Sequence, residues 1–156
     1  MTIRPALPSD AAAIADLSTQ LGYPSTPKET DVRLRDILNH PDGAVLVAEE
    51  EGAVIGWIQV MGSHTIDSDP CALIAGLVVD EARRSRGIGA ALVEAASEWA
   101  DRHGYSTLRV RSNVIRERTH AFYERLGFSR VKNQVVFARP VGKKDRYEDD
   151  LPEVAR

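Results

Sequence analysis

Two glycines, Gly87 and Gly89, separate a strand-like run from a helix-like run, and this junction constrains the fold more than any other feature. The run before it, residues 72–79, is apolar throughout. The run after it, residues 88–99, repeats apolar residues on one face of a helix. A glycine turn that opens a helix presents backbone N–H groups at the positive end of the helix dipole, where phosphate groups bind. The sequence therefore predicts a strand, an anion-binding turn and a helix in direct succession.

Two common nucleotide-binding motifs do not fit this turn. A dinucleotide-binding loop has a third glycine where this chain has Leu92, and it follows the first strand of its domain rather than the fourth. A P-loop continues from its last glycine into Lys and Ser or Thr, where this chain has Ala90-Ala91. Three arginines, at positions 83, 84 and 86, favour an anionic ligand. A tight turn without a ligand is the alternative interpretation.

The remaining patterns predict a mixed α/β domain with the element order β-α-α-β-β-β-α-β-α-β. Ser9 is the predicted cap of the first helix, which ends at Gly22, and Thr26 with Glu29 predicts a capping box for the second helix. A turn at 50–52 joins two strands into a hairpin, and residues 63–70 are predicted as a polar loop. The predicted strands are 2–7, 44–49, 53–61, 71–79, 105–110 and 128–139, and the last two helices are 88–99 and 117–126.

Composition limits the class of protein. With 156 residues, the chain is expected to form one domain over residues 1–140, followed by a charged, flexible tail over residues 141–156. A net charge of -3 argues against broad nucleic-acid binding. The single cysteine, Cys71, excludes an intrachain disulfide, and no signal peptide or membrane-spanning run is apparent. A cytoplasmic protein that binds neither nucleic acid nor membrane is the simplest expectation.

Two sequence signatures resemble those of the GNAT superfamily of acyl-CoA-dependent N-acyltransferases. Arg84-x-x-Gly87-x-Gly89 matches the pyrophosphate-binding signature of that family, and residues 76–80 look like its fourth strand. Residues 121–128, Ala-Phe-Tyr-Glu-Arg-Leu-Gly-Phe, look like its second signature. The element order agrees as well, so the resemblance covers residues 2–140. It implies a GNAT-like fold in which the fourth and fifth strands of the central sheet splay apart.

The resemblance also implies a site for acetyl-CoA between the splayed strands. Backbone groups of the fourth strand would lie along the pantetheine arm, and N–H groups of the glycine turn would hold the pyrophosphate. An asparagine after the fifth strand would contact the cofactor, although Asn113 lies farther from Tyr123 than is usual and Arg116 falls nearer to the usual position. The implied cofactor-binding residues are Leu77, Val78, Val79, Arg84, Ser85, Arg86, Gly87, Ile88, Gly89, Ala90, Asn113, Arg116, His120 and Tyr123.

Tyr123 is the predicted catalytic residue, because acyl transfer from a thioester expels a thiolate that leaves more readily when an acid protonates it. Packing in the core is the alternative role for its ring. The general base is not apparent, because residues 74–77 of the fourth strand lack the acid that some family members carry. His64, Asp67 and Asp69 are candidates for it, and a backbone N–H of Val78 or Val79 is a candidate for the oxyanion site. An acyl-enzyme on Cys71 is a further alternative, and no metal site is expected.

The acceptor is expected near the loop between the first two helices and the loop before the fourth strand. The residues that this position implies are Leu21, Gly22, Tyr23, Trp57, His64 and Asp67. The leading hypothesis is an N-acetyltransferase that moves an acetyl group from acetyl-CoA directly to a primary amine of a small molecule in a ternary complex. The alternatives are a coenzyme A-binding sensor without catalysis and an acetyltransferase for protein N-termini or lysines. A homodimer is also possible.

Overall fold

The computed structural model describes residues 1–142 and has a five-stranded mixed sheet with two helices on each face. The strands lie in the order β1-β2-β3-β4-β5. The first four pair antiparallel, and β4 and β5 pair in parallel through a helical crossover. The elements are β1 Thr2–Pro5, α1 Ala11–Gln20, α2 Pro27–Leu38, β2 Gly43–Glu50, β3 Ala53–Thr65, β4 Ser68–Val79, α3 Ile88–Arg102, β5 Leu108–Val110 and α4 Glu117–Arg125.

Each face of the sheet has its own apolar core. One core lies between the sheet and α1 and α2, and it contains Ile14, Leu34 and Val47. The other core lies against α3 and α4, where Ile58, Leu92 and Tyr123 are buried. The mixed α/β class and the β-α-α-β-β-β-α-β-α part of the predicted order are confirmed.

The cap of the second helix agrees with the sequence, and the cap of the first does not. The Thr26 side chain accepts the Glu29 N–H, and the Glu29 carboxylate accepts the Thr26 N–H, which completes the capping box. Ser9 does not cap α1, because it lies inside a 3-10 turn over Pro8–Asp10 that precedes the helix. The buried Asp10 carboxylate instead accepts the Leu7 N–H at 2.7 Å and binds Arg4.

Two further predictions of secondary structure are wrong. Residues 63–70 are mostly strand, because β3 and β4 stay paired as far as Thr65 and Ser68. Most of their side chains are polar, because this end of the hairpin projects into solvent. Residues 128–142 contain no strand, because they pair with no other described strand. The predicted tail lies outside the described residues from position 143 onward.

Candidate functional site

A cleft opens where β4 and β5 separate. The two strands pair only between Ala72–Ile74 and Leu108–Val110, after which β5 ends and β4 continues to Val79. A β-bulge adds Ala75 to β4 at this point, since Val60 pairs with Ile74 and the preceding β3 residue, Gln59, pairs with Gly76. Ala75 is exposed although it lies in the middle of a strand. The β5 side of residues 75–79 is therefore an unpaired strand edge, which we refer to as the cleft.

The direction of the β4 backbone decides which residues can bind a ligand in the cleft. Asp80 donates its N–H to the Ile55 carbonyl at 2.9 Å, so the Asp80 N–H points toward β3. Because hydrogen-bonding direction alternates along a strand, Val78 also faces β3, whereas Leu77 and Val79 direct their N–H and C=O groups toward the cleft. Of the three predicted β4 residues, Leu77 and Val79 thus have main-chain groups free for a ligand. Val78 is not in a position to offer its N–H to an oxyanion.

The glycine turn lies at the open end of the cleft and leads into α3. Gly87 has φ +80° directly before the helix, a conformation that other residues rarely adopt, and a Cβ there would meet nothing within 4 Å. Residues 84–87 are exposed, and Ile88 is buried. The N–H groups of Ile88, Gly89 and Ala90 belong to the first turn of α3, so they have no partner within the helix. The turn therefore has the open space and the free donors that a pyrophosphate needs.

Three arginines surround the turn, and carboxylates neutralise them only in part. Arg83 donates to Glu50, and the Arg86 guanidinium lies 3.6 Å from the same carboxylate. Arg84 lies 3.8 Å from Glu81. Three guanidinium groups thus face two carboxylates, which leaves the turn positive. Glu50 holds two of the arginines beside the turn, and a sequence motif could not identify it because it lies in the distant β2–β3 hairpin.

The absence of a side chain at Gly89 serves packing between helices. A Cβ on Gly89 would lie 3.1 Å from the Phe122 ring and 3.8 Å from the Val79 side chain. The second glycine of the motif therefore allows α4 to pack against the start of α3. Close approach of phosphate groups is supported by the open space at Gly87 instead.

Tyr123 lies in the core beside the cleft. Its ring is 8% exposed and contacts Phe122 and Phe128 edge to face, with centroids 5.0 and 5.4 Å away. It belongs to the same packed cluster as Leu77, Val79 and Val110. Burial raises the pKa of the Tyr123 hydroxyl to about 12. Among the described residues, that hydroxyl has no hydrogen-bond partner, so it is free to donate to a ligand.

The stretch that follows β5 and the first turn of α4 each carry one buried polar atom that lacks a partner. His120 Nε2 lies 2.9 Å from the Asn113 carbonyl, which can only accept, so Nε2 carries the hydrogen. His120 Nδ1 is then a buried acceptor without a donor, and Ser112 Oγ is likewise buried without a partner. Asn113 shapes this stretch, since its Oδ1 accepts the Ile115 N–H. Such atoms need a hydrogen bond from water or a ligand, and Ser112 carries no recognisable motif.

Tyr23 and Arg116 contact each other on the α1–α2 side of the cleft, the face opposite to that of Tyr123. The Arg116 guanidinium stacks 5.8 Å from the centre of the exposed Tyr23 ring and lies 3.5 Å from its hydroxyl. Arg116 therefore reaches toward the α1–α2 loop rather than toward the glycine turn. On the same face, the Trp57 ring covers Gly76 so closely that a Cβ there would lie 2.7 Å from it. The Trp57 indole N–H is buried and has no partner.

His64 and Asp67 are not brought to the cleft. Val60 on β3 pairs with Ile74, where β4 and β5 begin to separate. His64 lies four residues farther along β3, about 13 Å from Val60. Asp67 lies farther still, at the tip of the β3–β4 hairpin. The His64 ring contacts Asp42 at 3.2 Å and the Tyr105 hydroxyl at 2.9 Å. Tyr105 donates to the same Asp42 carboxylate at 2.6 Å. This triad joins the strands at the end opposite the turn, beside the buried Cys71.

The chain resembles known proteins over most of its length. Residues 11–128 match the model of the Acetyltransferase (GNAT) family. The uncharacterized N-acetyltransferase YhfO of Bacillus subtilis (strain 168) is 29% identical over 133 residues, which cover 82% of this chain and 89% of that protein. Within residues 1–142, no helix combines the length and the apolar character that crossing a membrane requires.

Solved structures share the fold. A protein of Agrobacterium tumefaciens str. C58, provisionally assigned as an acetyltransferase, superposes with a TM-score of 0.79 at 26% identity, over 89% of this chain and all of that one. The aminoglycoside N-acetyltransferase AAC(6')-Iy, solved in complex with CoA, has a TM-score of 0.78 at 21% identity, over 89% of this chain and 93% of that one. At 21% identity, the likeness to AAC(6')-Iy concerns the fold alone.

Proposed function

The chain belongs to the GNAT family of acetyltransferases, and we propose on this basis that it transfers the acetyl group of acetyl-CoA to a primary amine of a small molecule. The observation that carries this proposal is the cleft, which has free main-chain groups along one edge, a positive glycine turn at its open end and the Tyr123 hydroxyl beside it. These three features suit the amides, the pyrophosphate and the thioester of one extended donor.

The donor binds through backbone groups. The unpaired N–H and C=O groups of Leu77 and Val79 pair with the amides of the pantetheine arm, as a further strand would. The first N–H groups of α3 hold the pyrophosphate, and Arg84 and Arg86 add positive charge. Ser112 Oγ and His120 Nδ1 gain a partner when the cleft is filled.

In the chemical step, the acceptor nitrogen attacks the thioester carbon directly, the C–N bond forms, and the C–S bond breaks. The electron pair of the C–S bond leaves with the sulfur, which takes the hydroxyl proton of Tyr123. The nitrogen releases its own proton to water, since the cleft stretch of β4 carries no acid. Water returns a proton to the Tyr123 oxygen, which restores the hydroxyl for the next turnover.

The raised pKa of Tyr123 favours a hydrogen bond to the sulfur over early proton transfer. With a pKa of about 12, the hydroxyl keeps its proton at every physiological pH. A thiol has a pKa of about 8.5, so a thiolate takes a proton from this hydroxyl only at a cost in free energy. Tyr123 therefore stabilises the departing sulfur by donating a hydrogen bond, and its proton moves to the sulfur only as a proton from water replaces it.

The acceptor occupies the opposite face of the cleft, beside Tyr23, Arg116 and Trp57. The Tyr23 ring offers an exposed apolar surface, and the Trp57 indole N–H is buried without a partner nearby. The positive charge of Arg116 lowers the pKa of a nearby ammonium group, which favours the neutral amine that can attack. The exposed Tyr23 ring with Arg116 stacked on it supports a small acceptor such as an amino sugar.

The proposal is tested by measuring thiol release from acetyl-CoA with a panel of small amines, amino sugars and peptides. Turnover with small amines is expected, and Tyr123→Phe should lower kcat about 100-fold because it removes only the acidic hydroxyl. Ser97→Ala is the control, since it removes a hydroxyl that bonds only to the Val93 carbonyl within α3. Its kcat should stay near that of the unmodified chain.

Three results would contradict parts of this proposal. Full activity of Tyr123→Phe would exclude the hydroxyl as the acid. Turnover with peptides alone would replace the small-molecule acceptor by a protein. Tight binding of coenzyme A without turnover on any amine would indicate a sensor.

A further inference from the structure

The β5 strand and the residues that follow it carry an unbalanced positive charge. Residues 108–118 contain one acid, Glu117, and four arginines. These arginines are Arg109, Arg111, Arg116 and Arg118. Among the described residues, none of their guanidinium groups forms an ion pair. The arginines beside the glycine turn, by contrast, all lie near a carboxylate. The charge of residues 108–118 is therefore free to attract an anionic ligand.

Arg109 and Arg111 point to the side of the sheet that carries α1 and α2. Leu108 and Val110 pack into the core on the α3 side. Since side chains alternate along a strand, Arg109 between them points to the opposite side, and Arg111 continues this alternation. Arg109 pairs with Leu73, where β4 and β5 still meet, so Arg111 lies where the cleft begins.

This side of β4 and β5 is open and lacks acids near the cleft. Within residues 1–142, the core beneath α1 and α2 contains no residue of either strand. A ligand can therefore approach β5 without displacing packed side chains. The one acid of β4, Asp69, lies five residues before Ile74, which is about 17 Å along the strand. Neither strand therefore offers a counter-ion to a cationic group at the cleft.

Arg116 reaches the same side of the cleft from the start of α4. A turn closed by the Arg116 N–H and the Asn113 carbonyl, at 3.0 Å, precedes the helix. The Arg116 guanidinium stacks on the Tyr23 ring, which covers one face of the group and orients it. Its contact with the Tyr23 hydroxyl is long, at 3.5 Å, so most of its N–H donors have no partner among the described residues. A stacked guanidinium with a free edge suits two parallel hydrogen bonds to a carboxylate or a phosphate.

We propose that the acceptor amine also carries an anionic group, a carboxylate or a phosphate, and that Arg111 and Arg116 bind this group. The inference rests on the proposed acetyl transfer and specifies which small amines take part in it. The anionic group lies against the end of β5 and the start of α4, while the amine points across the cleft toward the thioester. Arg109 adds attraction from the closed end of the cleft. This subsite transfers no proton; it attracts and orients the acceptor.

The first test compares acceptors that differ in charge. The value of kcat/KM for thiol release is measured with glucosamine 6-phosphate against glucosamine, and with 4-aminobutyrate against its neutral amide. The anionic amine of at least one pair should react about tenfold better, because it gains charge-assisted hydrogen bonds. The pair that responds shows whether phosphate or carboxylate is bound. Neutral amines that react as well as the anionic ones in both pairs would overturn the inference and leave the acetyl transfer supported.

A binding measurement distinguishes failure of the inference from failure of the proposed function. If no amine reacts, the proposed transfer fails, and calorimetry with the coenzyme A-loaded chain still compares the two members of each pair. Tighter binding of an anionic member would support the subsite. Equal binding within both pairs would overturn it.

The second test removes the arginines one at a time. Arg111→Gln and Arg116→Gln should each raise the KM of the preferred anionic amine about tenfold. The kcat should stay within about threefold, and the KM of acetyl-CoA and that of the neutral amine should not change. Arg102→Gln is the matched control, since it removes the same charge at the far end of α3, and its KM values should equal those of the unmodified chain.

Two results with these variants would contradict the subsite. A higher KM for acetyl-CoA, with the KM of the anionic amine unchanged, would assign the arginines to the phosphates of the donor. An unchanged KM of the anionic amine in both variants would show that neither arginine binds the acceptor.

Discussion

At the scale of single residues, Gly87 and Gly104 have the same backbone conformation and different roles. Their φ angles are +80° and +82°, and a Cβ at either position would meet nothing within 4 Å. Gly87 begins α3 and Gly104 follows its end. Because the helix dipole is positive only at the start of the helix, an anion can bind beside Gly87 and not beside Gly104.

This pair gives a matched test of the pyrophosphate site. Gly87→Glu should weaken coenzyme A binding about 100-fold, because the new carboxylate occupies the place of the phosphates and repels them. Gly104→Glu carries the same backbone strain, about 1 kcal/mol, and the same charge, so its affinity should be unchanged. Isothermal calorimetry measures both. Equal affinities for the two variants would locate the pyrophosphate elsewhere.

Residues whose role is local could be predicted from the sequence, and residues that depend on distant partners could not. Gly87 and the capping pair Thr26 and Glu29 act within a few neighbouring positions, and their spacing is visible in the chain. The position of Arg116 is decided by Tyr23, a residue 93 positions away. His64 was expected beside the acceptor, but two distant partners hold it at the other end of the sheet.

At the scale of elements, the contact between α3 and α4 connects the two ends of the cleft. Phe122 packs against Gly89 at the start of α3, and the next residue along α4 is Tyr123. A shift of Phe122 would therefore move the hydroxyl that serves the chemical step. The position of α4 therefore depends on the absence of a side chain at Gly89.

Gly89→Ala tests this dependence. In a helix, alanine is favoured over glycine by about 1 kcal/mol, whereas a Cβ at 3.1 Å from the Phe122 ring requires that ring to move. The free energy of unfolding should change by less than about 1 kcal/mol, while kcat falls about tenfold. The double variant Gly89→Ala with Phe122→Leu should recover most of kcat, because the smaller side chain restores the space. Urea denaturation and steady-state kinetics provide the two measurements, and an unchanged kcat in Gly89→Ala would disprove the coupling.

The order of the elements could be predicted from the sequence, whereas the ends of the strands depend on how the strands pair in the sheet. Hydrophobic periodicity identifies a strand only when one face is buried, so the exposed hairpin over residues 63–70 looked like a loop. Conversely, the pattern at 128–139 predicts a strand, but this stretch pairs with no strand within residues 1–142. A high strand propensity shows that a segment can form a strand, but the strand forms only where another strand is available to pair with it.

At the scale of the whole molecule, one ion network joins the first strand to its surroundings. Arg4 on β1 binds Asp10 through two hydrogen bonds of 2.8 and 3.0 Å and also binds Glu49 on β2. The Arg4 guanidinium lowers the pKa of the Asp10 carboxyl below its usual value. A carboxyl with a lowered folded-state pKa stabilises the fold above its unfolded pKa, near 4, and this contribution is lost as the pH falls.

Acid unfolding should therefore depend on Asp10. The free energy of unfolding of the unmodified chain is expected to fall as the pH decreases below about 4. Asp10→Asn should lose about 2 kcal/mol at pH 7 and show a smaller dependence on pH below 4. Asp31→Asn is the control, since Asp31 pairs with Arg35 on the exposed side of α2 and its loss should cost less than about 1 kcal/mol. Urea titrations at several pH values measure all three chains; an Asp10→Asn chain as pH-sensitive as the unmodified one would refute the assignment.

The triad of Asp42, His64 and Tyr105 has a consequence for how the cleft behaves. It fastens the residue before β2, the far part of β3 and the residue that leads into β5, all at the end where β4 and β5 are still paired. A wider cleft would require these strands to separate, which would break the hydrogen bonds from His64 and Tyr105 to the Asp42 carboxylate. The cleft consequently keeps its width before any donor arrives, so binding requires little rearrangement of the sheet, and the free energy of donor contacts remains available for orienting the thioester.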